Sequence, residues 1–381
     1  MFRKHISAVL AAILCITSLA GCNSDTAPVN TEQTTPADEQ NVTEELSSGV
    51  EGWTYGQVAM GGGGFVTGVF STCEENVYYA RTDVGGAYRW NEQDKQWKSL
   101  NYWVSPEDVG LLGISAIAVD PENAAKVYML AGTEYFSGGK TCILISENYG
   151  ESFDVVELTD MIKVHGNGMG RGNGERLAID PNNKETILAG GCSSGIIRST
   201  DGGRTWTQTD FPVKGTTNGN GVNIIVFDPN TEGLVYAAAS QTSENLFVSK
   251  DSGATWTQLG WNPDQMPARI KIDSKGNLYV VCGDKEGPWN QAKGAVYKYD
   301  PASGTAENIA PSSSPFGDIV IDPTDENKMV LVTTQTWVQQ PNGSFGDTFF
   351  TSTDGGKTWT DKISTMTMST NDIELFLNNV N

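Results

Sequence analysis

Ser199 to Trp206 reads STDGGRTW, and the same pattern returns as SKDSGATW from Ser249 to Trp256 and as STDGGKTW from Ser352 to Trp359. The shared spelling Ser-x-Asp-x-Gly-x-x-Trp is that of a hairpin turn. The Asp and Ser side chains can bond turn amides, the glycine supplies a positive φ, and the Trp caps the following strand. Recurrence at roughly fixed intervals signals a repeat architecture.

Each box closes a similar run. In the clearest one an apolar strand, 176–179, reaches the turn Asp180-Pro181-Asn182-Asn183. A second strand (186–190) and a third (195–199) follow, then the box, then a fourth strand from Thr205. We label these strands A to D. Further A–B turns stand at Asp120-Pro121, Asp228-Pro229, Asp273-Ser274 and Asp322-Pro323, and weaker boxes at 146–153, 297–304 and 90–97. This amounts to six units of about fifty residues, four antiparallel strands each, which is the pattern of propeller blades. The fold class is therefore all-β, a propeller over residues 53–365.

Composition agrees. The 381 residues include 43 glycines and 10 tryptophans, and the formal net charge is -21. So acidic a chain, with no basic patch, argues against nucleic acid and leaves a neutral polymer compatible. Arg3 and Lys4 precede an apolar run ending in Leu19-Ala20-Gly21-Cys22, so residues 1–21 read as a lipoprotein signal peptide with Cys22 as the lipidation site. Ordinary cleavage after small residues is the alternative. Residues 22–52 read as an acidic disordered linker, with seven acids and no base between 23 and 51. The expected location is the bacterial cell surface or outside it, the lipid anchor being the only membrane contact, and the expected state a monomer. Cys73, Cys142, Cys192 and Cys282 are widely spaced and read as buried strand residues, with disulfides left open. With His165 the one histidine beyond the leader, neither a metal site nor any cofactor is expected.

In a propeller the A–B and C–D turns share one face, and the B–C loops and D–A connectors the other. The boxes are C–D turns and thus structural. Counting back from Trp97 as from Trp206 sets Gly86 opposite Gly195 and Asp83 opposite Cys192. Asp83 therefore sits on a B–C loop of the open face, either capping its own turn or free for chemistry. Tyr135, Trp289 and Trp337 fall on other B–C loops. Trp103, Trp261, His165 and Arg171 fall on D–A connectors. Several exposed aromatics on one face fit platforms for flat sugar faces, although any one of them can be loop packing.

The stretches 61–66 (GGGGFV), 79–90 (YARTDVGGAYRW), 170–178 (GRGNGERLA) and 283–299 resemble glycoside hydrolase family 74, the xyloglucanases and related endo-β-1,4-glucanases. The likeness runs from about Trp53 to Trp359; the boxes alone are shared with sialidases and sortilin-like receptors. It implies two seven-bladed propellers facing each other across a cleft, inverting chemistry, and Asp83 as general base. The family's general acid lies on its second propeller, which this sequence does not reach. Residues 366–381 read as an irregular tail and the chain as a truncated enzyme, or else as a true six-bladed propeller. A non-catalytic glycan- or protein-binding propeller of sortilin-like or assembly-factor type is the other reading. A sialidase fits less well, for want of an arginine cluster.

Overall fold

The computed structural model describes residues 46–47, 54–55, 63–261, 263–334, 338–339 and 345–361, all within the compact unit that begins at Glu44. Six four-stranded antiparallel sheets follow one another as the blades of a β-propeller. Blade 1 consists of Val66–Ser71, Tyr78–Thr82, Ala87–Asn91 and Gln96–Ser99. Blade 2 begins at Ile114–Asp120, blade 3 at Leu177–Asp180, blade 4 at Val222–Phe227, blade 5 at Met266–Ile272 and blade 6 at Phe316–Ile321.

The second strand of each blade carries the core. Leu278–Gly283 (LYVVCG) and Val235–Ala239 (VYAAA) are buried at every position, whereas the outer strand Thr305–Asn308 is exposed throughout. A strand with blades packed on both faces needs a continuous apolar run rather than alternation. The core is accordingly laminated, one apolar layer between each successive pair of blades. Ile224, Tyr236 and Leu246 of blade 4 meet Ile270, Leu278 and Val280 of blade 5 in this way.

The boxes form the expected turns. Ser199 Oγ accepts from Gly203 N at 2.8 Å, Asp201 Oδ1 accepts from Thr205 N at 2.9 Å, and Trp206 Nε1 donates to Gly203 O at 2.8 Å. In the weaker box Asn148 replaces the Asp and accepts from Ser152 N at 3.0 Å. In four of the boxes the glycine also abuts the preceding blade: a Cβ on Gly150 would meet Leu100, on Gly203 Ile145, on Gly253 Leu188 and on Gly356 Ile309. The turn thus joins blades as well as strands. The last strand of blade 3 is only Thr207–Gln208, later than the expected start at Thr205, because the Thr205 amide is held within the turn.

Box carboxylates give the fold an acid-sensitive element. The Thr205 hydroxyl and amide pull the Asp201 pKa down to about 2, and Thr358 does the same for Asp354. A depressed folded-state pKa adds stability above the unfolded value and loses it as pH falls through the folded one. Urea midpoints should therefore decline between about pH 4 and pH 2, and a D201N/D354N double variant should flatten that decline.

Candidate active site

The register inferred from the boxes is matched by hydrogen bonds. Thr82 N donates to Gly86 O at 3.0 Å, and Gly191 N to Gly195 O at 2.9 Å, so Asp83 and Cys192 occupy equivalent loop positions. The turn after Asp83 is closed by Thr82, whose Oγ1 accepts from Gly85 N and donates to Gly86 O, both at 2.8 Å. The Asp83 carboxylate is therefore free of its own turn and points elsewhere. Its Oδ1 accepts from Phe65 N at 2.7 Å, while Asp83 N donates to Phe65 O at 3.0 Å. Gly64 at φ +98 permits this approach, since a Cβ there would lie 3.0 Å from Asp83 Oδ1.

The second partner of Asp83 comes from the long connector between blades 2 and 3. This segment crosses to blade 5, where Gly170 N donates to Gly287 O at 2.8 Å and Asn173 Nδ2 to Glu286 O at 3.0 Å. Arg171 Nε is thereby set 3.2 Å from Asp83 Oδ2, an ion pair whose angle falls short of a hydrogen bond. Burial lowers the Arg171 pKa, and the Asp83 charge opposes the shift. The guanidinium lies over two aromatic rings, 5.0 Å from the Trp289 centroid and 5.7 Å from that of Phe65. These rings meet edge to face at 5.4 Å. Trp289 keeps 58% of its surface exposed. Asp83, Arg171 and Trp289, far apart in sequence, are thus one cluster.

Behind the cluster lies Arg81, fully buried. It donates to Glu175 Oε1 at 2.8 Å, Thr67 Oγ1 at 2.6 Å and Arg171 O at 3.0 Å. Glu175 also accepts from Ile117 N at 3.2 Å and stands 3.6 Å from Arg269. Phe65, Arg81 and Glu175 did not emerge from sequence reasoning, although the motifs GGGGFV, ART-D and GRGNGER contain all three.

Among the described residues, no ion pair or ring contact links the other candidates to Asp83 or Trp289. Tyr135, 75% exposed, meets His165 edge to face at 4.5 Å. Burial lowers the His165 pKa, with the Glu134 charge opposing, and its Nδ1 is buried without a hydrogen-bond partner. Trp103 rests on Phe153 at 6.2 Å, a loop-packing contact. Trp261, expected on the open face, is instead buried against Tyr297 and Tyr299. Trp337 and Cys22 lie outside the described residues. Cys142 and Cys282 are buried strand residues as expected. Cys73 is exposed and Cys192 half-buried because both fall in turns or loops, and all four are free thiols. Among the described residues every exposed large apolar side chain except Val155 lies on a B–C loop or D–A connector.

A sequence model of the sortilin (neurotensin receptor 3) family matches residues 141–266. The oligoxyloglucan-reducing end-specific xyloglucanase of Emericella nidulans is 30% identical over 81% of this chain and 42% of its own length. A Paenibacillus xyloglucanase is 35% identical over 81% of this chain and 32% of its own. The crystal structure of the GH74 enzyme of Niastella koreensis superposes with a TM-score of 0.76 at 42% identity, covering 81% of this chain and 46% of that one. The chain spans less than half the length of each of these relatives, and over its six blades it belongs with the glycoside hydrolases of family 74.

Proposed function

We propose that the open face binds a β-1,4-glucan of the xyloglucan type and that Asp83 is the general base of its inverting hydrolysis. The observation that carries this reading is the Asp83 carboxylate, fixed by Phe65 N and Arg171 beside the exposed Trp289. A carboxylate offers about four lone-pair sites, so two contacts leave room for a water. That water gives a proton to Asp83 while its oxygen attacks the anomeric carbon from the face opposite the departing oxygen. A protonated carboxyl about 6.5–9.5 Å from Asp83 donates to the leaving oxygen. The family resemblance assigns that acid to a second, facing propeller. Trp289 serves as a sugar platform, with the exposed faces of Tyr135 and Trp103 as further platforms and Arg171 and His165 bonding hydroxyls; Trp337, outside the described residues, keeps that assignment from the sequence alone. A lipidated Cys22 and the acidic tether would hold the blades off a bacterial surface.

The sortilin match over blades 2 to 4 favours a second reading, a propeller that binds a protein partner. Titrating xyloglucan oligosaccharides against tryptophan emission separates the two. Saturable quenching is expected for a sugar groove, and no response for a protein-binding face. Trp289→Ala should weaken oligosaccharide binding about 2- to 13-fold, the equivalent of one aromatic contact at about 0.5–1.5 kcal/mol. Unchanged affinity would remove Trp289 from the groove.

A further inference from the structure

Two ion pairs cross between the same two segments. The second strand of blade 1 and the loop it enters carry Arg81 and then Asp83, cation before anion. The connector carries Arg171 and then Glu175, again cation before anion. The pairs are Arg81 with Glu175 at 2.8 Å and Asp83 with Arg171 at 3.2 Å, so each segment gives one charge of each sign to the other. The inner pair is also bonded to the outer one, because Arg81 Nη1 donates to the backbone oxygen of Arg171 at 3.0 Å. Arg81 Nη2 reaches Asn173 O at 3.3 Å, so Arg81 grips the connector at three residues.

Glu175 is the hub that joins this grip to the rest of the propeller. Its Oε1 takes Arg81 and faces Arg269 of blade 5, its Oε2 takes Ile117 N of blade 2, and its backbone oxygen takes Ile225 N of blade 4 at 2.8 Å. An ion pair with its guanidinium fully buried and its carboxylate half-buried gains little stability over an apolar filling of the same volume, so the arrangement is better understood as one that specifies a geometry. The geometry it specifies is the approach of Arg171 to Asp83.

We propose that Arg81 and Glu175 are positioning residues, an inner pair of a fully buried guanidinium and a half-buried carboxylate that sets the outer pair Arg171–Asp83 and through it the direction of the Asp83 carboxylate. The catalytic part of this proposal rests on Asp83 being the base; the structural part does not. Shifting a reacting group by about 1 Å can cost about 100-fold in rate. Glu175→Gln removes the charge that holds Arg81 and keeps the side-chain shape. It is expected to lower kcat about 10- to 100-fold, with a smaller change in KM confined to the hydroxyl contact assigned to Arg171, since neither Arg81 nor Glu175 belongs to the sugar platform.

The test has a readout independent of hydrolysis. The chain contains eight arginines, few enough for their Nε–Hε signals to be resolved after 15N-arginine labelling of the full chain. The Arg171 signal, identified by its loss in Arg171→Lys, should move in Asp83→Asn and move again, with faster solvent exchange, in Glu175→Gln. An Arg171 signal unchanged in folded Glu175→Gln would overturn the proposal. Should Glu175→Gln fail to fold, Arg81→Lys, which keeps the buried charge but loses the fork, gives the same reading. A responsive Arg171 signal with hydrolysis intact in Asp83→Asn would refute Asp83 as base and leave the positioning pair standing.

Discussion

Asp83→Asn is expected to lower xyloglucan hydrolysis by about 10²- to 10⁴-fold, the usual contribution of a positioned general base. The substitution keeps an oxygen to accept from Phe65 N and keeps the side-chain volume, so the loop should hold its shape. What disappears is the negative charge facing Arg171 and the capacity to take a proton from water. Oligosaccharide affinity should stay within a few-fold, because the sugar contacts assigned to Trp289 are untouched. The assay requires an acid as well as a base. The 381-residue chain is expected to hydrolyse xyloglucan slowly, and the same blades joined to a facing family 74 propeller much faster. Asp83→Asn should abolish the gained activity. Equal rates with and without Asp83 would mean that another group activates water.

Gly85→Ala should disable the same site by backbone displacement. A Cβ on Gly85 would stand 1.8 Å from Gly63 O and 2.8 Å from Gly63 C. These are backbone atoms and cannot rotate aside, so residues 63–65 must move. Overpacking of this kind typically costs about 1–3 kcal/mol, readable as a lower urea midpoint. The functional loss should be larger than that figure implies. The displaced segment includes Phe65, whose amide holds Asp83 Oδ1 and whose ring lies under Arg171. A Gly85→Ala protein that folds but retains full hydrolysis would show that the Phe65 contact does not orient Asp83.

Much of this fold was legible because the boxes are local. Ser199, Asp201 and Gly203 lie within five residues, and their bonds close on one another, so the pattern reads directly as a turn. Counting from the box Trp then set Asp83 in its loop, and the paired closures at Gly86 and Gly195 repeat that count in hydrogen bonds. The cluster around Asp83 was legible only in part, because its members meet through long-range contacts. Arg171 reaches Asp83 across 88 positions, and Trp289 reaches Arg171 across a further 118. Periodicity carries no information on such pairs. Trp261 shows the opposite failure: a connector Trp counted as exposed folds inward, because Tyr297 and Tyr299 of blade 5 offer it an edge-to-face cage.

The most direct test of the account is the structure of the Asp83→Asn protein with a bound xyloglucan oligosaccharide. The account predicts a glucan chain across the open face, one ring stacked on Trp289 and an anomeric carbon within reach, through one water, of residue 83. An oligosaccharide seated on the face of the box turns, or one that leaves residue 83 and Trp289 bare at saturation, would contradict it.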